Sequence, residues 1–470
     1  MSTLTITLIT LIAYQGVLLG IGFWAKGRNT NERDFFLGGR NVGPFITAMS
    51  YGASSSSAWV LLGLTGYFYT TGAQALWILP GVWAGYIAVW LFIGPGLRAL
   101  AGKHDLVTLT DYLALGSTGR ARQLIIWLAA FMIIFSFSFY VAGQFQGAGT
   151  AFASAFDLPM SISVLIGAGV VLVYTWLGGF WAVSVTDAVQ ASLMLIVAIL
   201  LPIAAIAALG GPGAFWHAVT SGAANTTAVP GAGALASLGF VMGSLGIGIG
   251  PVGQPQLLTR LMAINSQKDI KRGFAIALGW AVIVFSAMAV LGLAARALIA
   301  PGAGASEGVF FALSAQILPG VLGGIVLAAV LSAIMSTADS LLLVAGSAAA
   351  HDLGLARRFP RHALLISRLM TAFLCIAAAI LTLALPASIY GRVLFAWSAL
   401  GAAFGPLVIA MAMDRPARPA GVIIAMLTGF ILTVIFYLQP DTPGDWLERV
   451  LPFVIALCIA LLMPKRMARH

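Results

Sequence analysis

The sequence has little charge and almost no cysteine. Only 8% of its 470 residues are Asp, Glu, Lys or Arg, whereas 60% are hydrophobic. Soluble chains carry about 25% charged residues, so the composition excludes an ordinary soluble protein and indicates a polytopic membrane protein. The two cysteines, Cys375 and Cys458, both lie in apolar segments. This excludes a disulfide framework and a thiolate metal site.

Other missing features exclude further classes. The sequence has no Gly-x-x-x-x-Gly-Lys-Ser/Thr motif, which disfavours an ATP-driven pump. All five histidines, at 104, 217, 351, 362 and 470, fall in predicted loops or helix ends, which disfavours an intramembrane enzyme with a serine nucleophile. The few residues after the last span, 465–470, leave no signalling domain, so a membrane sensor is a remote alternative. The first segment has no basic start and no cleavage site and is expected to be a retained span.

Thirteen apolar spans are predicted, each near the ~20 residues that cross a bilayer. The fold class is therefore an all-α polytopic membrane protein. The spans are 5–25, 44–72, 74–97, 123–153, 158–178, 183–209, 234–260, 273–298, 318–347, 363–385, 388–412, 418–438 and 447–464.

The basic residues are distributed unevenly over the loops. When loops alternate between the two sides, 21 of the 24 Lys and Arg residues, Arg260 among them, fall on one side, and Arg296, Arg392 and Arg449 fall on the other. Cytoplasmic loops carry such an excess of Lys and Arg. We therefore expect a multi-pass protein of the cytoplasmic (inner) membrane, with its N-terminus periplasmic or extracellular and its C-terminus cytoplasmic. The net charge of +10 is then explained by topology, and no nucleic-acid partner is expected.

Two spans are interrupted. The second contains the run Ser54–Ser57, and the seventh contains the glycine- and proline-rich stretch 243–255. Gly costs about 1 kcal/mol and Pro about 3 kcal/mol inside a helix, and a hydroxyl-rich membrane segment must face protein or a polar cavity. Close helix packing by small residues is the alternative explanation. Interrupted helices at corresponding positions of two halves are typical of a secondary transporter's binding site.

This correspondence predicts one transporter domain over residues 1–470. Its first span is peripheral, residues 44–209 and 234–412 form the two five-helix halves of an inverted-repeat core, and residues 418–464 add two C-terminal helices.

Two acidic residues, Asp187 and Asp339, lie within apolar spans, where a charge costs at least ~2.5 kcal/mol. Near Asp339, Ala333, Ser336, Thr337 and Ser340 share one helix face. Hydroxyl and carboxylate oxygens suit a small hard cation such as sodium. The alternative is that the hydroxyls bond to carbonyls one turn earlier and that Asp339 is structural. If both carboxylates face one site, one of them should hold a proton that sodium displaces or that is itself the coupling ion.

The chain resembles the sodium/solute symporter family, above all its sodium/proline branch. The resemblance covers nearly the whole length. It is carried by Leu37–Arg40, Gly43–Phe45, Thr47–Ser50, Gly178–Phe180, Ala182–Ser184, Thr186–Asp187, Val189–Leu193, Gly253–Pro255, Ala333–Thr337 and Trp397–Pro406. The family implies a LeuT-like 5+5 fold of thirteen helices.

The resemblance also implies binding residues. A sodium site would be formed by the carbonyls of Ala53, Ser56 and Ala333 with the hydroxyls of Ser336 and Thr337. A second cation or proton site would involve Asp187, Ser336, Asp339 and Ser340, and Arg40 would lie at the inner mouth. Substrate contacts are expected from Ser55, Ser57, Ala58, Trp59, Tyr140, Ile247, Pro251 and Pro255.

Some positions differ from the proline branch. That branch has Asp at the position of Ser55, Gly at Ala58, Trp at Ile247 and Tyr at Pro251. The missing carboxylate removes a charge that helps to organise sodium binding, and the missing aromatics change the pocket wall.

The sequence predicts a sodium-coupled symporter that imports a small organic solute by alternating access, with Na+ as the coupling ion and an amino acid such as proline as the first candidate. The alternatives are a sodium- or proton-coupled symporter of a monocarboxylate, a pantothenate-like acid, a sugar acid or a urea-like solute. Besides the substrate, the lipid bilayer is the expected partner, and a monomer is sufficient for function.

Overall fold

Helices make up nearly all of the computed structural model, which describes residues 3–25, 37–177, 180–221, 233–299, 306–354, 358, 362–385 and 387–465. Within these ranges there is no strand, and only two isolated bridges occur, Val42 with Ile264 and Ala417 with Pro464. A helix satisfies its own backbone groups, as the hydrocarbon core of a membrane requires. The predicted all-α class is confirmed. Some residues of the charge count, of the family motifs and of the histidine set lie outside the described residues: Lys26, Arg28, Arg33, Gly178, Gly179, Arg357, Arg361, Arg466, Arg469 and His470.

The helices are numbered here in chain order. They are α1 Thr3–Ala25, α2 Pro44–Ala58, α3 Thr65–Thr71, α4 Ile78–Ile87, α5 Gly94–Lys103, α6 Leu109–Leu113, α7 Gly119–Phe156, α8 Met160–Leu177, α9 Phe180–Ala208, α10 Pro212–Thr220, α11 Ala234–Gly246, α12 Pro255–Ala263, α13 Gln267–Leu298, α14 Val309–Ile317, α15 Gly323–Ser347, α16 Ala363–Ala384, α17 Ile389–Ala412, α18 Pro419–Tyr437, α19 Trp446–Arg449 and α20 Leu451–Leu462. Short π or 3₁₀ segments, such as Trp59–Leu64 and Ile247–Gly253, connect some of them.

The number of membrane spans differs from the prediction. By length and hydropathy, ten helical stretches of the described chain could cross a membrane. One of them, Pro44–Lys103, is 60 residues long and contains both the second and the third predicted span. Helix α20 has 12 residues, and α8 contributes only the shorter apolar helix Met160–Thr175, so neither is among the ten. The predicted count of thirteen is not confirmed.

The first interrupted span has its break at the end of the serine run. Ser57 has φ 50° and ψ −174°, a left-handed backbone that is uncommon for a residue other than glycine. The chain then continues as the π-helical turn Trp59–Leu64. The break exposes backbone groups to side chains, and the Ala58 N–H donates to Gln144 Oε1 of α7 at 3.0 Å.

The second interrupted span is irregular over a longer stretch. Helix α11 is followed by the 3₁₀ segment Ile247–Gly253 and by an extended Gln254 (φ −83°, ψ 112°), after which Pro255 starts α12. Proline fixes φ and lacks an N–H, so Pro251 and Pro255 account for this irregular path.

The core lies around α15 and α17. In their most apolar windows 94% and 89% of the residues are buried, against 22% for α1. Because α15 carries Ser336, Thr337 and Asp339, these polar side chains lie at the centre of the molecule. Helix α1 packs against α15 at its edge, where Tyr14 hydrogen-bonds Ser332.

Candidate functional site

Oxygen atoms of α2 and α15 converge beside the first break. Thr337 Oγ1 lies 3.3 Å from the Ala53 carbonyl oxygen and 3.4 Å from that of Ser54. Ser336 Oγ lies 3.4 Å from the Ala53 oxygen and 3.2 Å from that of Ala333. Hydroxyl hydrogen bonds are normally 2.7–2.8 Å long. These oxygens therefore lie close together around one position, but they are not tightly hydrogen-bonded to one another. Such a cluster of uncharged oxygens suits a monovalent hard cation.

The structure thus brings together Ala53, Ala333, Ser336 and Thr337 of the predicted sodium site. The fifth member, Ser56, has a carbonyl that accepts the Trp59 N–H. Its fully buried hydroxyl makes no hydrogen bond with any described residue.

The predicted substrate residues are all buried, and an aromatic cluster surrounds those of the first break. The Trp59 indole lies 5.8 Å from that of Trp397 and 5.7 Å from the Phe285 ring. Its N–H donates to the Ser55 carbonyl at 3.1 Å. Trp59 and Ser57 are fully buried.

Polar atoms beside this cluster lack partners. The Tyr140 hydroxyl faces Ser57 and Trp397 but makes no hydrogen bond of normal geometry with a described residue, and the same is true of Trp397 Nε1 and Ser56 Oγ. Buried polar atoms are nearly always hydrogen-bonded. The Tyr140 hydroxyl and Trp397 therefore mark a polar place beside the first break, where a polar ligand could supply the missing hydrogen bonds.

The second break meets this aromatic cluster through Trp397. A Cβ on Gly250 would lie 2.6 Å from Trp397 Cε3, so the ring lies flush against the backbone of the 3₁₀ segment. Gln254 Nε2 donates to the Trp397 carbonyl at 3.4 Å. Ile247 and Pro251 lie in this segment and are buried, whereas Pro255 lines a separate small cavity with Thr108, Thr110 and Asp352. Trp397 supplies an aromatic ring at this place, whereas Ile247 and Pro251 of the second break have none.

The Ser55 hydroxyl is engaged locally. It donates to the Gly52 carbonyl at 2.9 Å and hydrogen-bonds the Tyr86 hydroxyl of α4. At the position where the proline branch has a carboxylate, this chain therefore has a neutral pair that links α2 to α4.

Asp187 has a partner that the sequence did not reveal. Arg260 Nη2 donates to its Oδ2 at 2.7 Å, and both side chains are almost completely buried. Ser50 Oγ also donates to Oδ2, at 2.6 Å. The structure brings Asp187 and Ser340 together through Arg260, since Nη2 also donates to Ser340 Oγ at 2.6 Å. Arg260, which the loop count assigned to a loop, is 3% exposed.

Asp339 interacts with different residues from Asp187. Its Oδ1 accepts a hydrogen bond from Thr175 of α8, and its buried Oδ2 has no hydrogen-bond partner among the described residues. The two carboxylates therefore make no shared contact, although both were assigned to one second site. Ser336, also assigned to that site, bonds instead to the carbonyls of the first site.

Arg40 lies near one end of the molecule. Its Nη2 donates to the Leu106 carbonyl at 2.7 Å, and its Nη1 is 3.3 Å from Asp105 Oδ1.

Sequence reasoning missed Arg260, Gln144, Tyr86 and Trp397. A signal exists for Gln144, which is an uncharged polar residue in the middle of an apolar span, and for Trp397, which lies in one of the quoted motifs. Neither signal says which cavity the side chain enters.

The fold is that of known transporters. The chain superimposes on a Na+-coupled sialic acid symporter in its substrate-bound outward-open state with a TM-score of 0.80, at 17% identity and covering 99% of both chains. With MhsT in complex with L-phenylalanine the TM-score is 0.56, at 16% identity over 88% of this chain and 97% of that one. At these identities the likeness establishes the fold, which is LeuT-like.

The chain belongs to the sodium:solute symporter family, whose model matches residues 35–429. It is 30% identical to the osmoregulated proline transporter OpuE of Bacillus subtilis, over 96% of this chain and 93% of that protein. It is 32% identical to sodium/proline symporter 2 of Staphylococcus saprophyticus, over 92% and 86%. The predicted family is confirmed. This membership indicates sodium as the coupling ion and a multi-pass location in the membrane.

Proposed function

We propose that this protein imports an amino acid, with proline as the first candidate, together with sodium. Polar atoms of Tyr140 and Trp397 near Ser57 make no hydrogen bond of normal geometry with a described residue, and this supports a polar solute. The flat aromatic walls of Trp59 and Trp397 suit a small apolar ring or chain. Two relatives at 30–32% identity over most of both chains are named as proline transporters. The solute would lie at the first break, with Trp397 connecting it to the second.

Sodium would bind next to the solute. The carbonyls of Ala53 and Ala333 and the hydroxyls of Ser336 and Thr337 already converge. A cation there would hold α2 against α15 and fix the break at Ser57. Its entry supplies about 2.3 kcal/mol per 100 mV of membrane potential, plus the concentration term, to drive the solute inward.

The end of the molecule that holds Arg40, Arg98 and Lys465 would face the cytoplasm, because it carries most of the basic residues. The protein would lie in the cytoplasmic membrane with its N-terminus outside, and a monomer is sufficient for this cycle. Residues 44–209 and 234–412 would be the two halves of the inverted repeat.

The decisive experiment is uptake into proteoliposomes with an inward sodium gradient, using labelled proline and then a monocarboxylate, pantothenate, a sugar acid and urea. Sodium-dependent proline uptake is expected. Uptake of another solute in preference to proline would contradict the substrate, and uptake driven by a proton gradient without sodium would contradict the coupling ion.

A matched pair of variants tests the sodium site. Thr337→Val removes one proposed ligand without changing shape. A hydrogen bond or contact to a charged group contributes about 1.5–3 kcal/mol, so the sodium concentration for half-maximal uptake should rise about 10- to 150-fold. Thr371→Val is the control, because Thr371 is also buried in a membrane helix but bonds only to the Ser367 carbonyl of its own helix. Equal sodium dependence in the two variants would contradict the site.

A further inference from the structure

The Arg260 guanidinium lies where three core helices meet. Its Nη2 donates to Asp187 Oδ2 of α9 at 2.7 Å and to Ser340 Oγ of α15 at 2.6 Å. Its Nε donates to Ser50 Oγ of α2 at 2.7 Å. Its Nη1 donates to the carbonyl of Gln256, one turn earlier in α12, at 2.6 Å. Each nitrogen of the guanidinium thus has an oxygen partner in a buried position.

These oxygens are the ones that a second cation would use. Asp187 and Ser340 are two of the four residues predicted for a second cation site, and Nη2 contacts both. An arginine side chain stays protonated in proteins, so a positive charge is present between them whenever α12 holds this position. A sodium ion bound to the same two oxygens would have to displace the guanidinium.

The buried charges support the same conclusion. Asp187 carries one negative charge and Arg260 one positive charge, so the pair is neutral and leaves no net attraction for a further cation. The remaining residues predicted for that site interact elsewhere, since Ser336 bonds to the carbonyls of Ala53 and Ala333, and Asp339 to Thr175. The oxygens around Ala53 and Thr337, in contrast, make no contact with a cationic side chain of the described chain.

We propose that Arg260 is an internal cation that fills the second cation position, so that the protein binds and carries one sodium ion per solute. This inference rests on the proposed function, because it takes the Ala53, Ala333, Ser336 and Thr337 oxygens as the sodium site. Arg260 belongs to α12, which follows the second break, and it therefore also ties the two interrupted helices together through Ser50.

The wild-type protein tests the inference directly. Equilibrium binding of 22Na+ to the purified protein should give one ion per chain. The reversal potential of coupled flux in proteoliposomes should give one sodium per solute. Two ions by either measurement would overturn the inference. A protein that binds one sodium ion but takes up none of the solutes would contradict the proposed function and leave the ion count intact, so the two failures are distinguishable.

Substitutions at Arg260 test the mechanism. Arg260→Gln should free Asp187 and create a second site, raising the count from one ion to two and the Hill coefficient for sodium above 1. Arg260→Lys keeps the charge and should bind one ion. The double variant Asp187→Asn/Arg260→Gln removes both charges and should also bind one ion. Arg296→Gln is the control, because among the described residues Arg296 bonds to the carbonyls of Tyr69 and Thr70 and to no carboxylate, and it should bind one ion.

The folding of the Arg260→Gln protein is judged by its elution profile in size-exclusion chromatography. If the folded variant still binds a single sodium ion, Arg260 does not exclude a second ion and the inference is overturned. If that variant does not fold, the wild-type count decides.

Discussion

The two buried carboxylates of the core are in different electrostatic surroundings. Asp187 has Arg260 at 2.7 Å, so its charge is balanced within the protein. Asp339 has the Thr175 hydroxyl and no cationic neighbour within hydrogen-bonding distance among the described residues. A lone charge inside a membrane is expensive, and Asp339 is therefore expected to be a neutral acid.

Replacing each carboxylate by its amide should destabilise the protein to different extents at the two positions. Asp187→Asn leaves the Arg260 charge buried without a counter-charge, which costs about 3–5 kcal/mol. Asp339→Asn replaces a neutral acid by a group of the same shape and should cost far less. Thermal unfolding of the purified proteins in detergent is the measurement, and equal losses of Tm would contradict the assignment of charges.

The Asp339→Asn protein also tests the hypothesis that a proton at Asp339 takes part in coupling. If it does, the pH dependence of sodium-driven uptake must change in this variant. Uptake with unchanged sodium and pH dependence would make Asp339 a structural residue.

At this scale the sequence predicted that Asp187 and Asp339 are buried, since a charge within an apolar span is visible in the residues themselves, but not that Asp269 and Asp352 are buried as well. It did not predict the partner of Asp187. Arg260 lies near the predicted end of a span, and the intervening chain includes a 3₁₀ segment, which rises about 2.0 Å per residue, and an extended Gln254. The direction of the Arg260 side chain therefore cannot be obtained by counting helical turns from Ile247.

The 3₁₀ segment Ile247–Gly253 packs between α4 and α17. A Cβ on Gly248 would lie 1.8 Å from the Gly81 carbonyl oxygen, a backbone atom that cannot move alone. The backbone of the same segment also touches Trp397, which would line the proposed solute site. The backbone of this segment can approach both neighbours only because Gly248 and Gly250 carry no side chain.

Gly248→Ala should therefore separate α4 from the second break. We expect a clear loss of thermal stability and of solute affinity, since overpacking costs about 1–3 kcal/mol and the shift is transmitted to Trp397. Gly279→Ala in α13 is the matched control. A Cβ there has no atom within 4 Å, and Ala is favoured over Gly in a helix by about 0.5–1 kcal/mol. Unchanged Tm and half-saturation in Gly248→Ala would contradict this account.

The two breaks could be predicted at the scale of elements because serine, glycine and proline oppose a regular helix. Within the serine run, the structure places the turn at Ser57, where the Gln144 side chain of α7 bonds to the freed Ala58 N–H. That choice depends on a helix about 86 residues further on, and no local pattern contains it. The same holds for Trp397, whose role depends on how α17 packs against Gly250.

The described basic residues outside the core lie in two groups, one at each end of the molecule. At one end Arg98 bonds to the carbonyls of Ile264 and Asn265, Lys465 to that of Gly116, and Val42 bridges Ile264. Each of these contacts connects two of the loops that the charge count places on the same side of the membrane.

The three exceptions to the charge bias lie at the other end. Arg296 bonds to the carbonyls of Tyr69 and Thr70, Arg392 to that of Ala142, and Arg449 pairs with Asp445 at 2.7 Å. Each of them is held by protein oxygens, so none requires an anionic lipid surface. Moving Arg260 from the loops into the core changes the count of basic residues from 21 to 20 against 3, which leaves the bias unchanged.

This asymmetry predicts that the C-terminus is cytoplasmic and the N-terminus external, since cytoplasmic loops retain Lys and Arg. A green fluorescent protein fused after His470 should fluoresce in intact cells, and alkaline phosphatase at the same position should be inactive. An epitope before Met1 should be accessible to antibody from outside once any outer membrane has been permeabilised. Active phosphatase at the C-terminus would show that the orientation is the reverse of the predicted one. Sodium would then enter past Arg40 and Arg98, and not past the stacked rings of Tyr67 and Tyr390, which lie 4.6 Å apart at the other end.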